Sequence, residues 1–419
     1  MQNQMTDILI IGGGTVGLSL AIDLLQSTDL TLAIVEAHTL DTAVTEHPSL
    51  DSRCLALANT SHEYLARLLG DNTALTACPI EHIQVSDRGF MGKCYLHAED
   101  VHSSQLGVVA PIQAIGQALL DQFQQLRLKQ PERALWCCPN SVVRIGREQE
   151  GVIAALDDGQ TLHTKLVIFA DGGRSEIKQS LGFELTTKDY AQTAIIANVV
   201  CDKPHQNWAF ERFTEAGPLA LLPLDSKAFE QPEAHGVFSL VWTIDSDDTD
   251  NLKRLTDDDA YFLKHLSEYA GQRHGCFIET SARSHYPLRL SYAHQIAMHR
   301  SIVIGNAAQA LHPIAGQGFN LGLRDVQALT KLIVEATAKP DARDKPGERL
   351  CELGAGAFIH QYQQARKPDR ERIISATDTL VHCFSNHYWP LVLGRNTGLT
   401  LMNKFAPAKR YFARRAMGY

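Results

Sequence analysis

The sequence predicts an α/β protein built on a Rossmann-like nucleotide-binding fold, and three segments predict it. The first is a glycine-rich turn between an apolar strand and an apolar helix near the N-terminus. The second is a buried strand closed by Asp171-Gly172. The third, Ser301–Asp325, is a strand, a glycine-rich loop and a helix in that order. The chain has 419 residues, more than the roughly 250–300 at which one hydrophobic core stops growing. With 44% hydrophobic and 21% charged residues it is too apolar for a disordered chain. Its 29 glycines and 16 prolines are ordinary usage, which excludes collagen-like and low-complexity classes.

Residues 8–25 form an apolar run broken only by Asp23. The first seven residues carry one charge, Asp7, so the positive start of a signal peptide is missing. Consecutive glycines argue against a membrane span, and no other stretch approaches the length of about 18 apolar residues that a span needs. The run reads instead as a strand (Asp7–Ile11), a turn and a helix (Leu18–Leu25). Gly12, Gly14 and Gly17 match G-x-G-x-x-G. Gly12 permits the tight turn, Gly14 lets backbone approach a pyrophosphate, and Gly17 lets helix and strand pack closely. The helix N-terminus offers unpaired N–H groups and partial positive charge. A second strand, Thr31–Val35, ends at Glu36, 19 residues beyond Gly17. An acidic residue at that distance meets the ribose hydroxyls of an adenine dinucleotide, which favours FAD or NAD over NADP.

The second motif is Lys165–Arg174, KLVIFADGGR, with Leu166–Ala170 as its strand. Upstream, Val152–Leu156 and Thr161–Leu162 flank Asp158-Gly159, a hairpin signal. In the third motif the strand Ser301–Ile304 ends at Gly305-Asn306. A loop runs through His312-Pro313 to Gly316-Gln317-Gly318, and a helix follows with Phe319, Leu323, Val326, Leu329 and Ile333 on one face. Gly354-Ala355-Gly356 has no strand before it and no third glycine, so it is not a second nucleotide turn.

A net charge of −8 argues against a nucleic-acid partner. Nine cysteines without a CxxC pair read as reduced core thiols. The 18 histidines form no HExxH and no compact cluster, and the pairs five apart do not share a helix face, so no metal site is expected. P-loop and G-x-S-x-G motifs are absent.

The three motifs, in this order and spacing, resemble the class A flavoprotein aromatic monooxygenases, the p-hydroxybenzoate hydroxylase family. Longer strings resemble its ubiquinone-biosynthesis hydroxylase branch: Arg53 within DSRCLAL, VSDRG (Val85–Gly89), NWAFERF (Asn207–Phe213), GPLALLPL (Gly217–Leu224), SHYPL (Ser284–Leu288), NAAQALHPIAGQGFNLGLRD (Asn306–Asp325) and LVLGRNTGLTLMN (Leu391–Asn403). Asn306 departs from the broad family, which has Asp there. It keeps an acceptor oxygen and loses the charge. The WxWxIP string of flavin halogenases is absent.

The resemblance implies a Rossmann-like FAD-binding domain (1–75, 99–180 and 284–345), an inserted β-sheet substrate domain (76–98 and 181–283) and a C-terminal helical segment (346–419). It implies FAD held by Gly12, Gly14, Gly17, Glu36, Arg53, Asp171, Gly172, Asn306, Gly316, Gly318 and Asn320. NAD(P)H is the transient electron donor and dioxygen the co-substrate. The loop Pro313–Asn320 lies along the flavin, with Pro313, Gly318, Phe319 and Asn320 facing it. The reaction it implies is hydroxylation of the ring of 2-polyprenyl-6-methoxyphenol through a flavin C4a-hydroperoxide. A sister hydroxylase acting at another ring position and a non-catalytic FAD-bound scaffold are the alternatives. Strands Ala194–Val200, Leu219–Pro223 and Val237–Trp242 are expected over the flavin. Asn198, Phe210, Arg212, Leu221, Pro223, Trp242 and Tyr286 are the pocket candidates. Arg212 or Tyr286 would polarise the phenol, with His312 a further proton-handling candidate.

Residues 386–419 contain Arg395, Lys404, Lys409, Arg410, Arg414 and Arg415 and no acidic residue, interleaved with Tyr388, Trp389, Leu399, Leu401, Phe405, Tyr411 and Phe412. Such a stretch docks on an anionic bilayer, packs on the fold with a solvated basic face, or contacts a partner in a biosynthetic complex. The expected location is the cytoplasm, peripheral to the inner membrane surface.

Overall fold

The computed structural model describes residues 3–39, 53–70, 75–271, 273–313, 316–338, 352–384 and 388–418. Its first sheet grows from the apolar run at the N-terminus. Strand Asn3–Ile11 lies parallel between Leu32–Val35 and Thr161–Phe169, and Ser301–Val303 continues the sheet beyond Thr161–Phe169. Ile8, Leu9 and Ile10 are fully buried, because a parallel sheet is covered on both faces and needs a continuous apolar strand. Helix Thr15–Ser27 covers one face. A Cβ on Gly12 would meet the Ala170 carbonyl oxygen at 2.6 Å, and one on Gly17 would meet that of Gly12 at 2.0 Å. Close packing of turn, strand and helix therefore requires glycine at both positions. The hairpin expected at Asp158-Gly159 joins Val152–Leu156 to Thr161–Phe169, antiparallel.

The second sheet is largely antiparallel. Its strands run in the order Gln309–Ala310, Ser284–Ala293, Leu185–Cys201, Gly236–Asp245, Gly217–Leu224, Trp208–Thr214, His82–Asp87 and Lys93–His97. One face packs on helices Thr249–Asp257 and Asp259–Ala270 through Ile195, Leu221, Leu240, Trp242 and Phe262. The other faces the nucleotide-binding sheet across a cavity. The expected strands in 181–283 are present and longer. The sheet also runs past 283 into Ser284–Ala293 and Gln309–Ala310, so the third motif is tied to it by backbone pairing at Tyr292 and Gln309. Cys78–Ile80 pairs with Gly107–Pro111 in a separate three-stranded sheet with Cys54–Ala58.

Helix Gln317–Thr337 buries Leu323, Val326, Leu329 and Ile333, the face its periodicity predicts. The long helix Gly356–Phe384 crosses it, and Asp325 joins them. Its carboxylate is 1% exposed and accepts from Arg366 Nε (2.7 Å), Gln309 Nε2 (2.8 Å) and the Gly305 N–H (3.0 Å). Arg370 completes the cluster by donating to Gln309 Oε1 and to the Ala293 and Ala308 carbonyls. Gly354, at φ +78°, turns the chain before this helix, which accounts for the glycine pair as a turn.

Helices Trp389–Lys404 and Ala406–Ala416 close the fold. Arg395 and Asp87 form a buried ion pair at 2.7 Å, Asn396 also donates to Asp87, and Lys409 pairs with Asp100 at 2.7 Å. VSDRG therefore anchors the C-terminal segment. Arg395 and Lys409 are committed to the fold, which corrects their place in the expected basic face. Among the described residues no cysteine forms a disulfide, and no helix is long and apolar enough to cross a membrane.

Removing Arg366 leaves the buried Asp325 carboxylate without the cation that bonds to it directly. Arg366→Met is expected to destabilise the protein by about 3–5 kcal/mol, the usual cost of breaking one side of a buried pair. Urea unfolding measures it, and a midpoint unchanged from wild type would show that Asp325 does not hold the two helices together.

Candidate active site

The cavity between the two large sheets has a volume of about 1330 Å³. That exceeds the roughly 300–1,000 Å³ of a pocket for one drug-sized ligand, so there is room for a dinucleotide and a second molecule. Gly12, Gly14, Thr15, Glu36, Arg53, Asp171, Gly172, Asn306, Pro313 and Gly316–Asn320 all contribute to its wall. Gly17 does not; it lies behind the wall, at the helix–strand contact. Ile314 and Ala315 of the loop lie outside the described residues.

Local structure explains these positions. The Gly12 N–H donates to the Val35 carbonyl, which holds the turn against the end of the second strand. Glu36 reaches back to accept from the Gly13 N–H at 2.6 Å and from the His38 N–H at 2.9 Å. Asp171 accepts from the Gly173 and Ser175 N–H groups, and buried Lys178 lies 3.8 Å away, so this carboxylate shapes its own loop. Burial lowers the Lys178 pKa. Gly316, at φ +60°, caps helix Gln317–Thr337 against Ala56. The Asn320 side chain is buried and bridges to strand Cys54–Ala58, accepting from the Ala58 N–H and donating to the Ala56 carbonyl, both at 2.9 Å. Its amide is therefore spent on fixing the helix start, leaving the backbone N–H groups of the first turn for an electron-rich ligand.

The residues fit FAD. The cradle combines two helix N-termini, the Glu36 carboxylate at the end of strand Leu32–Val35 and the cations Arg53 and Arg174 on the same wall. At Gly318 the nearest atom to a would-be Cβ is Asn306 Oδ1, 4.0 Å away across the cavity. The two sides of the cradle face each other there over open space.

The substrate face needs correction. Strand residues alternate between sheet faces. Arg212, Leu221, Pro223 and Trp242 do not line the cavity. Leu221 and Trp242 pack with the helices on the far face. Arg212 donates to the Ala270 carbonyl at 3.0 Å at the end of helix Asp259–Ala270, so it cannot polarise a phenol in the cavity. Asn198 is also absent from the wall. Phe210 reaches it, but its ring packs with Trp208, Phe238 and His274. Their neighbours face the cavity instead: Ala209, Glu211, Phe213, Ala220, Leu222, Ser239, Val241 and Ile196. Both sheet faces are apolar, so alternation alone does not tell core from cavity. Tyr286 does line the wall, half-buried. His312 lines it too; it is 1% exposed, edge-on to Tyr190, and burial drops its pKa to about 4, so it is a neutral imidazole at physiological pH. Glu211 is the polar residue that the sequence reading missed.

This two-sheet architecture, with one cavity reaching a glycine cradle and an antiparallel sheet face, is that of a flavin-dependent hydroxylase. Residues 112–344 match a family model described as an FAD binding domain, and 9–174 match one described as FAD-NAD(P)-binding. The chain is 33% identical to the ubiquinone hydroxylase UbiL of Rhodospirillum rubrum, over 99% of this chain and 90% of that protein. It is 28% identical to the 3-demethoxyubiquinol 3-hydroxylase of Escherichia coli over the full length of both. Its fold matches p-nitrophenol 4-monooxygenase PnpA from Pseudomonas putida with a TM-score of 0.75, at 16% identity, covering 100% of this chain and 99% of that one. The chain belongs to the class A FAD-dependent aromatic monooxygenases, in the branch of the ubiquinone-biosynthesis hydroxylases. It is an FAD enzyme that uses NAD(P)H and dioxygen.

The open space at Gly318 gives a separable test of the cradle. Gly318→Val is expected to change the stability of the FAD-free chain by less than about 1 kcal/mol, since among the described residues a Cβ there has only Asn306 Oδ1 as near as 4.0 Å. It should weaken FAD binding at least about tenfold, a penalty near 1.4 kcal/mol, read by flavin absorbance after equilibrium dialysis. Full FAD retention would place the cofactor elsewhere.

Proposed function

We propose that this enzyme hydroxylates the aromatic ring of 2-polyprenyl-6-methoxyphenol, at the membrane surface where that lipid resides. One observation carries the reading. The cavity that the glycine cradle lines is also walled by an apolar group, Ile83, Val85, Leu96, Phe384, Leu399 and Met402, which we take as a channel for a hydrocarbon tail. A phenol with a long hydrocarbon tail fits such a shape, its ring toward the cradle and its tail in the channel.

FAD, when bound, takes two electrons from NAD(P)H and activates dioxygen; one oxygen atom enters the ring and the other leaves as water. The chain's own residues supply the surroundings. N–H groups at the start of helix Gln317–Thr337 stabilise negative charge placed against them in a dry site. Pro313, Phe319 and Tyr286 bound the space for the ring, and apolar Ala220, Leu222 and Val241 exclude water from it. Holding ring and cofactor in one cavity turns an encounter into a positioned reaction.

A second reading, hydroxylation at another ring position, is favoured by the similarity to the Escherichia coli 3-demethoxyubiquinol 3-hydroxylase. Purified FAD-loaded enzyme, given NAD(P)H and either 2-polyprenylphenol or 2-polyprenyl-6-methoxyphenol, is expected to hydroxylate the methoxyphenol. Turnover of 2-polyprenylphenol alone, read by mass spectrometry, would overturn the assignment.

The channel is walled partly by Leu391, Leu399, Met402 and Phe412 of the last two helices. The same helices expose Trp389, Leu393, Leu401, Phe405 and Tyr411, beside exposed Lys404, Arg410, Arg414 and Arg415. Apolar groups ringed by cations match an anionic bilayer. Changing those four cations to Gln is expected to weaken binding to phosphatidylglycerol vesicles about 100-fold, at up to roughly 1 kcal/mol per cation. Equal vesicle binding by both forms would remove the bilayer as partner.

A further inference from the structure

Glu211 stands alone. It sits on strand Trp208–Thr214, in the cross-strand row Val85–Glu211–Ala220–Val241–Ile196, all of which line the cavity. Its neighbours in that row are apolar. Its Oε1 is buried and has no hydrogen-bond partner among the described residues. Desolvation lifts its pKa to about 8, with no compensating cation.

The charged and titratable groups on the elements around it are otherwise engaged. Arg212, next in sequence, is on the opposite sheet face with the Ala270 carbonyl. Arg395, on the cavity wall from helix Trp389–Lys404, is bound to Asp87 and to the Cys383 and Phe384 carbonyls. Cys383, Tyr286 and His312 are on the same wall and carry no positive charge at neutral pH. A buried carboxyl without a partner costs folding free energy, so it gives the fold no stability of its own. Its cross-strand neighbours are Val85, in the apolar part of the wall, and Ala220, on the sheet face, so a ligand with one polar end and an apolar tail can present its polar end there.

We propose that Glu211 is a catalytic residue of this hydroxylase: its carboxylate accepts a hydrogen bond from the phenolic hydroxyl of the substrate and removes that proton. The inference rests on the phenol-hydroxylating reading above. The O–H bond of the phenol breaks and an O–H bond to Glu211 Oε1 forms, leaving a phenolate whose ring is the stronger nucleophile. The ring carbon then forms its bond to one oxygen atom derived from dioxygen as the O–O bond breaks; the second oxygen leaves as water, and the two electrons come from NAD(P)H through FAD. Loss of the ring C–H proton to solvent restores aromaticity, and Glu211 returns its proton to the product oxygen. A phenol ionises near pH 10 and an ordinary glutamate near 4.3. Raising the carboxyl toward the phenol brings donor and acceptor closer in proton affinity, which is how a general base is matched to its task.

The sign of the pH dependence follows. The active form is the carboxylate, so kcat/KM for hydroxylation rises with pH up to about 8 and levels off above it. The test uses the FAD-loaded enzyme with 2-geranyl-6-methoxyphenol. Wild type should show that rising limb, and bound phenol should display the near-ultraviolet phenolate band at a lower pH than free phenol. Glu211→Gln should keep FAD and NAD(P)H oxidation, lose the limb and the band, and lose ring hydroxylation by about 100-fold or more. Glu211→Asp should recover part of both. Glu211→Leu should be at least as stable to heat as wild type, which separates lost chemistry from lost folding. A Glu211→Gln enzyme with the wild-type limb and band would overturn the proposal. If the band depends on Glu211 while wild type forms no hydroxylated product, Glu211 stands as the proton acceptor and the substrate reading fails.

Discussion

The buried carboxylate of Asp325 is the interaction on which the rest of this structure depends. It takes hydrogen bonds from three parts of the chain: the Gly305 turn at the end of the parallel sheet, Gln309 on the strand that joins the antiparallel sheet, and Arg366 on the long C-terminal helix. One anion thus fixes the angle between the two sheets. Arg366 and Arg370 make the desolvation of that anion tolerable, and each further hydrogen bond they make ties another segment to it. The two sheets, held at that angle, leave a cavity between them. The residues expected to hold FAD line it, apart from Gly17.

The cavity is built from residues that mostly do not compete for it. Gly12 and Gly316 adopt left-handed backbone conformations, which favour glycine, and Gly318 leaves open space where a side chain would stand. Asp171 spends its side chain on its own loop and Asn320 on strand Cys54–Ala58, so the cradle is set before any ligand arrives. Preorganisation of this kind lowers the cost of binding and holds N–H groups where negative charge develops. Against this satisfied background the unpaired Glu211 stands out.

The last two helices share two tasks. Asp87–Arg395 and Asp100–Lys409 fasten them to the edge of the antiparallel sheet, where their inner faces complete the apolar channel. Their outer faces keep large apolar side chains in contact with solvent. Under the proposed function the two faces share one chemistry because a polyprenyl tail would pass from one to the other. The basic residues at 395 and 409, conspicuous as charges in the sequence, are the ones the fold uses for attachment.

Much of the fold was legible in the sequence. The strand–turn–helix at Gly12–Gly17, the strand ending at Asp171-Gly172 and the Gly316-capped helix are local, each fixed by a short run of residues whose backbone demands leave few alternatives. The part of the cavity wall on those elements could be read residue by residue, apart from Gly17, which packs behind it. The substrate end could not. In Trp208–Thr214, Gly217–Leu224 and Gly236–Asp245 both faces of the sheet are apolar, one against helices and one against a cavity, and a period of two leaves the choice of face open. Only the packing of helices Thr249–Asp257 and Asp259–Ala270 decided it. It sent Arg212, Leu221 and Trp242 into the core side and turned Glu211 toward the cavity. Which carboxyl is buried without a partner is a property of the assembled sheets, because desolvation is measured by what surrounds a group in space and not by its neighbours in the chain.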